Sequence, residues 1–209
     1  MTLVGRSRRV ATSTWSDVLD RLKLEGIVEG LTLRSGSGAI CGRAVTVQET
    51  IGSFEHAAFA PGKFLEKAGS GSVLVIAGGG ENVSTFGGLA ALAAKNAGVA
   101  GVLIDAACRD VGEIRETGLW LASRHATPRS GQGRIRVDAI DVPVTLSNVL
   151  ISPGDYIVAD ETGIVSIPQS RIEEALAIAE DLTEKDAQFA AELRKGASFL
   201  SASARTGHV

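Results

Sequence analysis

The chain has 209 residues, 44% of them hydrophobic but only 4% aromatic, with 25 glycines and a formal net charge of −3. That apolar content excludes a globally disordered chain, and a core short of aromatics must be built from Ala, Val, Ile and Leu between tight turns, which favours an α/β architecture. The dispersed charge lacks the basic stripe of a nucleic-acid reader, and no stretch approaches a membrane span.

In chain order, Arg6, Arg8 and Arg9 read as a solvated terminal segment. The first thirty residues lack the apolar core of a signal peptide, so a soluble, cytoplasmic protein is expected. Residues 13–24, STWSDVLDRLKL, open with capping residues and space Trp15, Val18, Leu19 and Leu22 as a helix does. AICGRAVTVQE (39–49) reads as a strand, and EHAAFAPGKFLEKA (55–68) as a helix broken at Pro61-Gly62. A repeated theme then begins. SVLVIAGGG is a buried strand running into glycines. TFGGLAALAAKNAG is an Ala-rich helix stopped at Gly98. VAGVLIDAA is a second buried strand, VGEIRETG a helix stopped at Gly118, and LWLASRHA a third strand. Alternation of this kind predicts parallel strands with right-handed crossovers.

After Pro128 the pattern changes to short β runs divided by turn residues, such as Pro153-Gly154-Asp155, which predicts antiparallel strands. From Gln169 to Lys195 the spacing of Ile172, Leu176, Ile178, Leu182, Phe189 and Leu193 is that of one long amphipathic helix or two. Its length suggests an arm of about 169–196 reaching over a neighbouring subunit, beyond a core of about 13–168. No linker divides the chain, so 1–209 is expected to be one domain.

Ligands of open α/β sheets bind beyond the carboxyl ends of the strands. The helix starting near Gly87 offers unpaired N–H groups and the positive end of its dipole to an anion. Glycines at 78–80 and 87–88 equally suit tight turns and close packing, and they do not form the dinucleotide fingerprint. Arg109-Asp110 stands at the end of the next strand. Arginine presents a fixed fork of donors to a carboxylate, and aspartate is a hard oxygen ligand for Mg²⁺ or Mn²⁺. The same pair also suits a structural ion pair with Asp110 as N-cap of the helix at 111–117, and both readings stay open on spacing alone. His56, His125 and His208 show no metal-ligand spacing, Asp105 suits a structural role, and Cys41 and Cys108 read as buried thiols.

GSVLVIAGGG, FGGLAALAAKNAGVAGVLIDAACRDVGEI, TPR and PGDYIVADETGIVSIP together resemble the RraA-like family, over roughly residues 13–168. That family contains metal-dependent 4-hydroxy-4-methyl-2-oxoglutarate / 4-carboxy-4-hydroxy-2-oxoadipate aldolases and also the non-catalytic regulator of ribonuclease E activity. The resemblance implies a layered α/β/α fold with a swivelling β/β/α-like core and a long C-terminal helix. It implies homotrimers or homohexamers with sites between subunits.

The resemblance also implies roles. Asp110 would hold Mg²⁺ or Mn²⁺, and Arg109 would be the catalytic contact to a small 2-oxo dicarboxylic acid. The backbone at Gly87, Gly88, Leu89 and Ala90 would bind that acid, its carboxylate on the amides of Leu89 and Ala90. Glu113 is a further candidate behind the metal, and if the long C-terminal helix crosses to a neighbouring subunit, Glu184 on it would face the water shell of that neighbour's metal. The aldolases carry Arg-Asp-x-x-Glu/Asp, here Arg109, Asp110 and Glu113, whereas the regulators tend to lose the Asp. The resemblance departs at Gly88, where the aldolases commonly place an acid. The implied activity is a lyase releasing pyruvate by aldol cleavage or oxaloacetate decarboxylation; the alternative is a protein that binds and inhibits another protein.

Overall fold

The computed structural model describes residues 2–55 and 61–207. Helices α1 (Leu3–Ser7) and α2 (Thr12–Leu22) precede strands β1 (Thr32–Ser35) and β2 (Ile40–Ile51). The middle of the chain is α3 (Pro61–Lys67), β3 (Val73–Ala77), β4 (Ser84–Phe86), α4 (Gly88–Asn96), β5 (Gly101–Cys108), α5 (Val111–Thr117) and β6 (Trp120–Ala126). Strands β7 (Ile135–Ile140), β8 (Val144–Leu146), β9 (Val149–Ile151), β10 (Tyr156–Ala159) and β11 (Ile164–Ile167) follow, then α6 (Ile172–Arg194) and α7 (Phe199–Thr206).

One mixed sheet runs β1-β6-β5-β3-β2-β10-β11, with β4 beside β5 and β7 beside β2. β2, β3, β5 and β6 pair in parallel. The later strands β7, β10 and β11 pair antiparallel, as the change of pattern after Pro128 predicts. Every residue of β3 and of β5 is buried, because both faces of the sheet are covered there. On one face Leu74, Ile76, Val102 and Ile104 pack with Phe64 of α3, Ala91 of α4 and Ile114 of α5. On the other, Val73, Val75 and Leu103 pack with Leu146 and Val149 of the β8–β9 hairpin. Ser147 and Asn148 turn that hairpin, both at positive φ, as a two-residue turn of the primed type requires. The layered α/β fold is therefore present, with a β hairpin as one of its layers.

Two local expectations are corrected. α2 is not capped by a residue of its own start: Asp160, far along the chain, accepts from Thr12 N at 2.9 Å and from Thr12 Oγ1 at 2.6 Å. The terminal arginines are not a free tail, since Arg6 lies in α1 and its Nε donates to Glu180 of α6 at 2.8 Å. α3 is described from Pro61 onward, and the part of the 55–68 pattern before it falls on residues 56–60, which, His56 among them, lie outside the described residues, as does His208.

The first half of the long α6 packs on its own chain. The 23-residue helix buries Ile172, Ala175, Leu176, Ala179 and Leu182 in a third cluster with Trp15, Val18 and Leu19 of α2 and Val158 of β10. Phe189 is then covered by α7, its ring edge-on to Phe199 at 4.9 Å between centroids.

Candidate functional site

The sheet brings two helix starts together. β4 pairs in parallel with the end of β5, Phe86 opposite Cys108, and Arg109 N donates to Phe86 O at 2.9 Å. α4 and α5 therefore leave the sheet side by side. Glycine at 87 caps α4 without a side-chain bond, so the N–H groups of Gly88, Leu89 and Ala90 have no acceptor within the helix. Gly88 N finds one outside it: Asp110 Oδ2, at 3.2 Å.

Asp110 sits at the N-cap position of α5, yet makes no side-chain bond to that helix. Its backbone is left-handed, φ 55° and ψ 41°, a conformation that Asp tolerates and most residues do not. That twist turns the carboxylate away from α5 and onto the start of α4. Of the structural reading left open for this pair, the ion pair is present but the side-chain cap on the helix at 111–117 is not: Asp110 bonds the neighbouring helix instead. Arg109 Nε lies 3.3 Å from the same Oδ2, and the two side chains remain 45% and 37% exposed to the cavity and solvent. An ion pair this exposed contributes little to stability.

The glycines now have a specific reason. A Cβ on Gly87 would stand 2.6 Å from Asp110 Oδ2 and 3.1 Å from Arg109 Nε. One on Gly88 would stand 2.8 Å from Cβ and 2.9 Å from Cδ of Glu113. Neither glycine has positive φ, so what a side chain at either position would disturb is the close approach of the charged side chains, not turn geometry. The glycines at 79 and 80 do have positive φ, of 69° and 79°, and serve a turn elsewhere.

Gly87, Gly88, Leu89, Ala90, Arg109, Asp110 and Glu113 all line one cavity of about 510 Å³. Sequence reasoning misses two of its other lining residues, Thr85 and Ser130. β4 is too short for periodicity to reveal, and the approach of Ser130 to Ser84 is a single bridge between β4 and a segment distant in sequence. The Thr85 hydroxyl is buried and without a partner among the described residues. Glu184 is not brought to this cavity by its own chain: it is exposed on α6 and accepts from Gln188 at 3.0 Å. His125 Nε2 contacts Gly80 O at 3.0 Å and Asp105 is buried against Arg124 at 2.5 Å, both structural arrangements. Cys41 is buried and its thiol is pushed up to about 12 by desolvation, so it is unreactive; neither cysteine forms a disulfide.

Among the described residues no group of three or more His, Cys, Asp or Glu is gathered to hold a metal. A site of Zn type does not fit. What fits is a hard cation that takes one or two carboxylates and keeps its waters. Asp110 Oδ2 is committed to Gly88 and Arg109, whereas no donor among the described residues bonds Oδ1. Mg²⁺ or Mn²⁺ suits that single hard oxygen facing an open cavity.

A family model described as RraA-like, Aldolase/RraA, matches residues 12–166. The chain belongs to the RraA-like family. The chain is 37% identical over 112 residues to a Thermus thermophilus protein named 4-hydroxy-4-methyl-2-oxoglutarate aldolase, the match covering 51% of this chain and 65% of that relative. It thus spans just under two thirds of that relative's length. Among solved RraA-like structures, Streptomyces coelicolor RraAS2, described as an unusual member of the RNase ES inhibitor RraA protein family, superposes with a TM-score of 0.79 at 29% identity, over 88% of this chain and 93% of that one. The RNA-processing inhibitor RraA from Thermus thermophilus superposes with a TM-score of 0.61 at 32% identity, over 73% and 91% of the two chains. Relatives named for an aldolase and relatives named for inhibition of RNA processing thus share this RraA-like fold.

Proposed function

We propose that the protein is a divalent-metal-dependent carbon–carbon lyase for small 2-oxo dicarboxylic acids, releasing pyruvate by aldol cleavage, by decarboxylation of oxaloacetate, or both. The observation that carries this reading is the convergence of Arg109, Asp110 and the unpaired first-turn amides of α4 on one cavity. The Leu89 and Ala90 N–H groups hold the substrate carboxylate at the positive end of the helix. Asp110 holds Mg²⁺ or Mn²⁺, which when bound supplies Lewis-acid charge to the substrate's 2-oxo group. Arg109 stands beside the oxygen on which negative charge builds as the bond breaks, and its planar fork stabilises that charge. The names of the aldolase relatives support the same class of reaction.

Sites shared between subunits of a homotrimer or homohexamer accord with Leu89 and Leu92, 83% and 50% exposed on α4 beside the cavity. No helix of the described residues is long and apolar enough to cross a membrane, and a cytoplasmic location is part of the proposal. A second reading, a binding protein that inhibits another protein, is favoured by the likeness to RraAS2.

The deciding experiment is pyruvate release from oxaloacetate and from 4-hydroxy-4-methyl-2-oxoglutarate, with Mg²⁺ or Mn²⁺ and with chelator. Metal-dependent release from either acid is expected. No release from any 2-oxo diacid, together with specific capture of a protein partner, would establish the second reading instead.

A further inference from the structure

Cleaving a 2-oxo acid that carries a 4-hydroxyl requires a group to take the hydroxyl proton. Arg109 never accepts one. Asp110 Oδ2 is occupied by the Gly88 N–H and Arg109. His125, the described histidine, does not line the cavity. Glu113 does line it, is exposed, and has no hydrogen bond or ion pair among the described residues. It reaches the cavity from the first turn of α5 by lying across the bare Cα of Gly88, so close that Cβ and Cδ of Glu113 fall within 3 Å of where a side chain at 88 would begin.

From this packing we infer that Glu113 is the catalytic proton acceptor for carbon–carbon cleavage, delivered through the space that Gly88 leaves empty. The inference rests on the lyase reading above. The carboxylate takes the proton of the C4 hydroxyl, and the C4–O bond becomes a carbonyl. The C3–C4 bond breaks, its electron pair forming the enolate of pyruvate. The Glu113 carboxyl then returns the proton to C3, giving pyruvate and a second 2-oxo acid with the carboxylate regenerated. Decarboxylation of oxaloacetate involves no hydroxyl proton and makes no such demand.

The test compares two probes, 4-hydroxy-4-methyl-2-oxoglutarate and oxaloacetate, across variants of the full chain. Glu113→Gln is expected to slow hydroxy-acid cleavage by on the order of 100-fold, the scale of one general base, and to lower the ratio of cleavage to decarboxylation by at least about tenfold. Gly88→Asp alone is expected to lower Tm, because Glu113 fills the site, and to do so much less in a Glu113→Ala background. The Gly88→Asp/Glu113→Ala double variant is expected to recover at least about tenfold of the cleavage lost in Glu113→Ala. Equal loss of both reactions in Glu113→Gln, unimpaired cleavage, or the same Tm drop in both backgrounds would overturn the inference. A natural protein that decarboxylates oxaloacetate but never cleaves the hydroxy acid would overturn it while leaving the lyase reading intact. Absence of both reactions would remove both.

Discussion

Asp110 bypasses the helix it begins and binds the backbone N–H of Gly88, 22 residues earlier, at 3.2 Å. One oxygen thereby ties α5 to α4 while the rest of the carboxylate faces the cavity. Replacing Asp110 with Asn keeps the size, the tolerance of left-handed backbone and an acceptor for Gly88. It removes the anionic ligand. Affinity for Mn²⁺, followed by calorimetric titration, is expected to fall at least tenfold, with unfolding free energy changed by no more than about 1 kcal/mol, the scale of a helix cap. Unchanged Mn²⁺ affinity would reduce Asp110 to a structural clasp.

Arg109 separates from Asp110 in the same assay. Arg109→Lys preserves charge but loses the planar fork. Mn²⁺ binding is expected to persist, while turnover of oxaloacetate drops on the order of 100-fold, as for removal of one directed donor to a developing oxyanion. Loss of metal binding in this variant would contradict the division of roles.

Glu49, on β2, is buried at 3% exposure with both oxygens unpartnered among the described residues. Desolvation, with a smaller push from the Asp138 charge, raises its pKa from 4.5 to about 8. The folded chain therefore holds a proton that the unfolded chain has released between these values. Its cost to stability is absent below about pH 4.5, grows as pH rises, and levels off above about 8, reaching a few kcal/mol, order of magnitude, near neutrality. Glu49→Met is expected to raise Tm, and to raise it more at pH 8 than at pH 5. A gain independent of pH would show that Glu49 is not neutral in the folded protein.

Asp105 and Arg124 form a pair of a different kind, with the Asp side chain 8% exposed and the Arg Nε at 2.5 Å. Arg124 also donates to Ser147 at 2.6 Å, which anchors the β8–β9 turn to the sheet. Arg124→Ala strands a buried carboxylate and should cost about 3 kcal/mol in denaturant unfolding. A loss under about 1 kcal/mol would mean that water reaches Asp105 once the arginine is gone.

Long-period features of this chain are legible in its sequence. Unbroken apolar runs such as VLVIA and GVLIDAA suit central parallel strands buried on both faces, and Gly118 marks the end of α5. The site residues Arg109 and Asp110 are legible because charge at a strand end is chemically conspicuous. Contacts between distant segments are not. Nothing local to Thr12 announces Asp160 as its cap, and a three-residue strand such as β4 has no period to detect. The course of α6 is hidden for the same reason. Its length is visible, but the surface of α2 that receives it is built from residues more than a hundred positions away.

The backbone bond from Arg109 to Phe86, together with the bond from Gly88 to Asp110, fastens two successive strand-to-helix corners into one rigid frame. One of these clasps uses no side chain at all, so the frame can outlive exchange of the groups mounted on it. Chemistry at this corner is then a matter of furnishing: a few side chains set at 88, 109, 110 and 113 decide what the cavity does, while the walls stand unchanged. Two lineages built on this frame could diverge into a catalyst and a docking protein by a handful of exchanges, without passing through a misfolded ancestor.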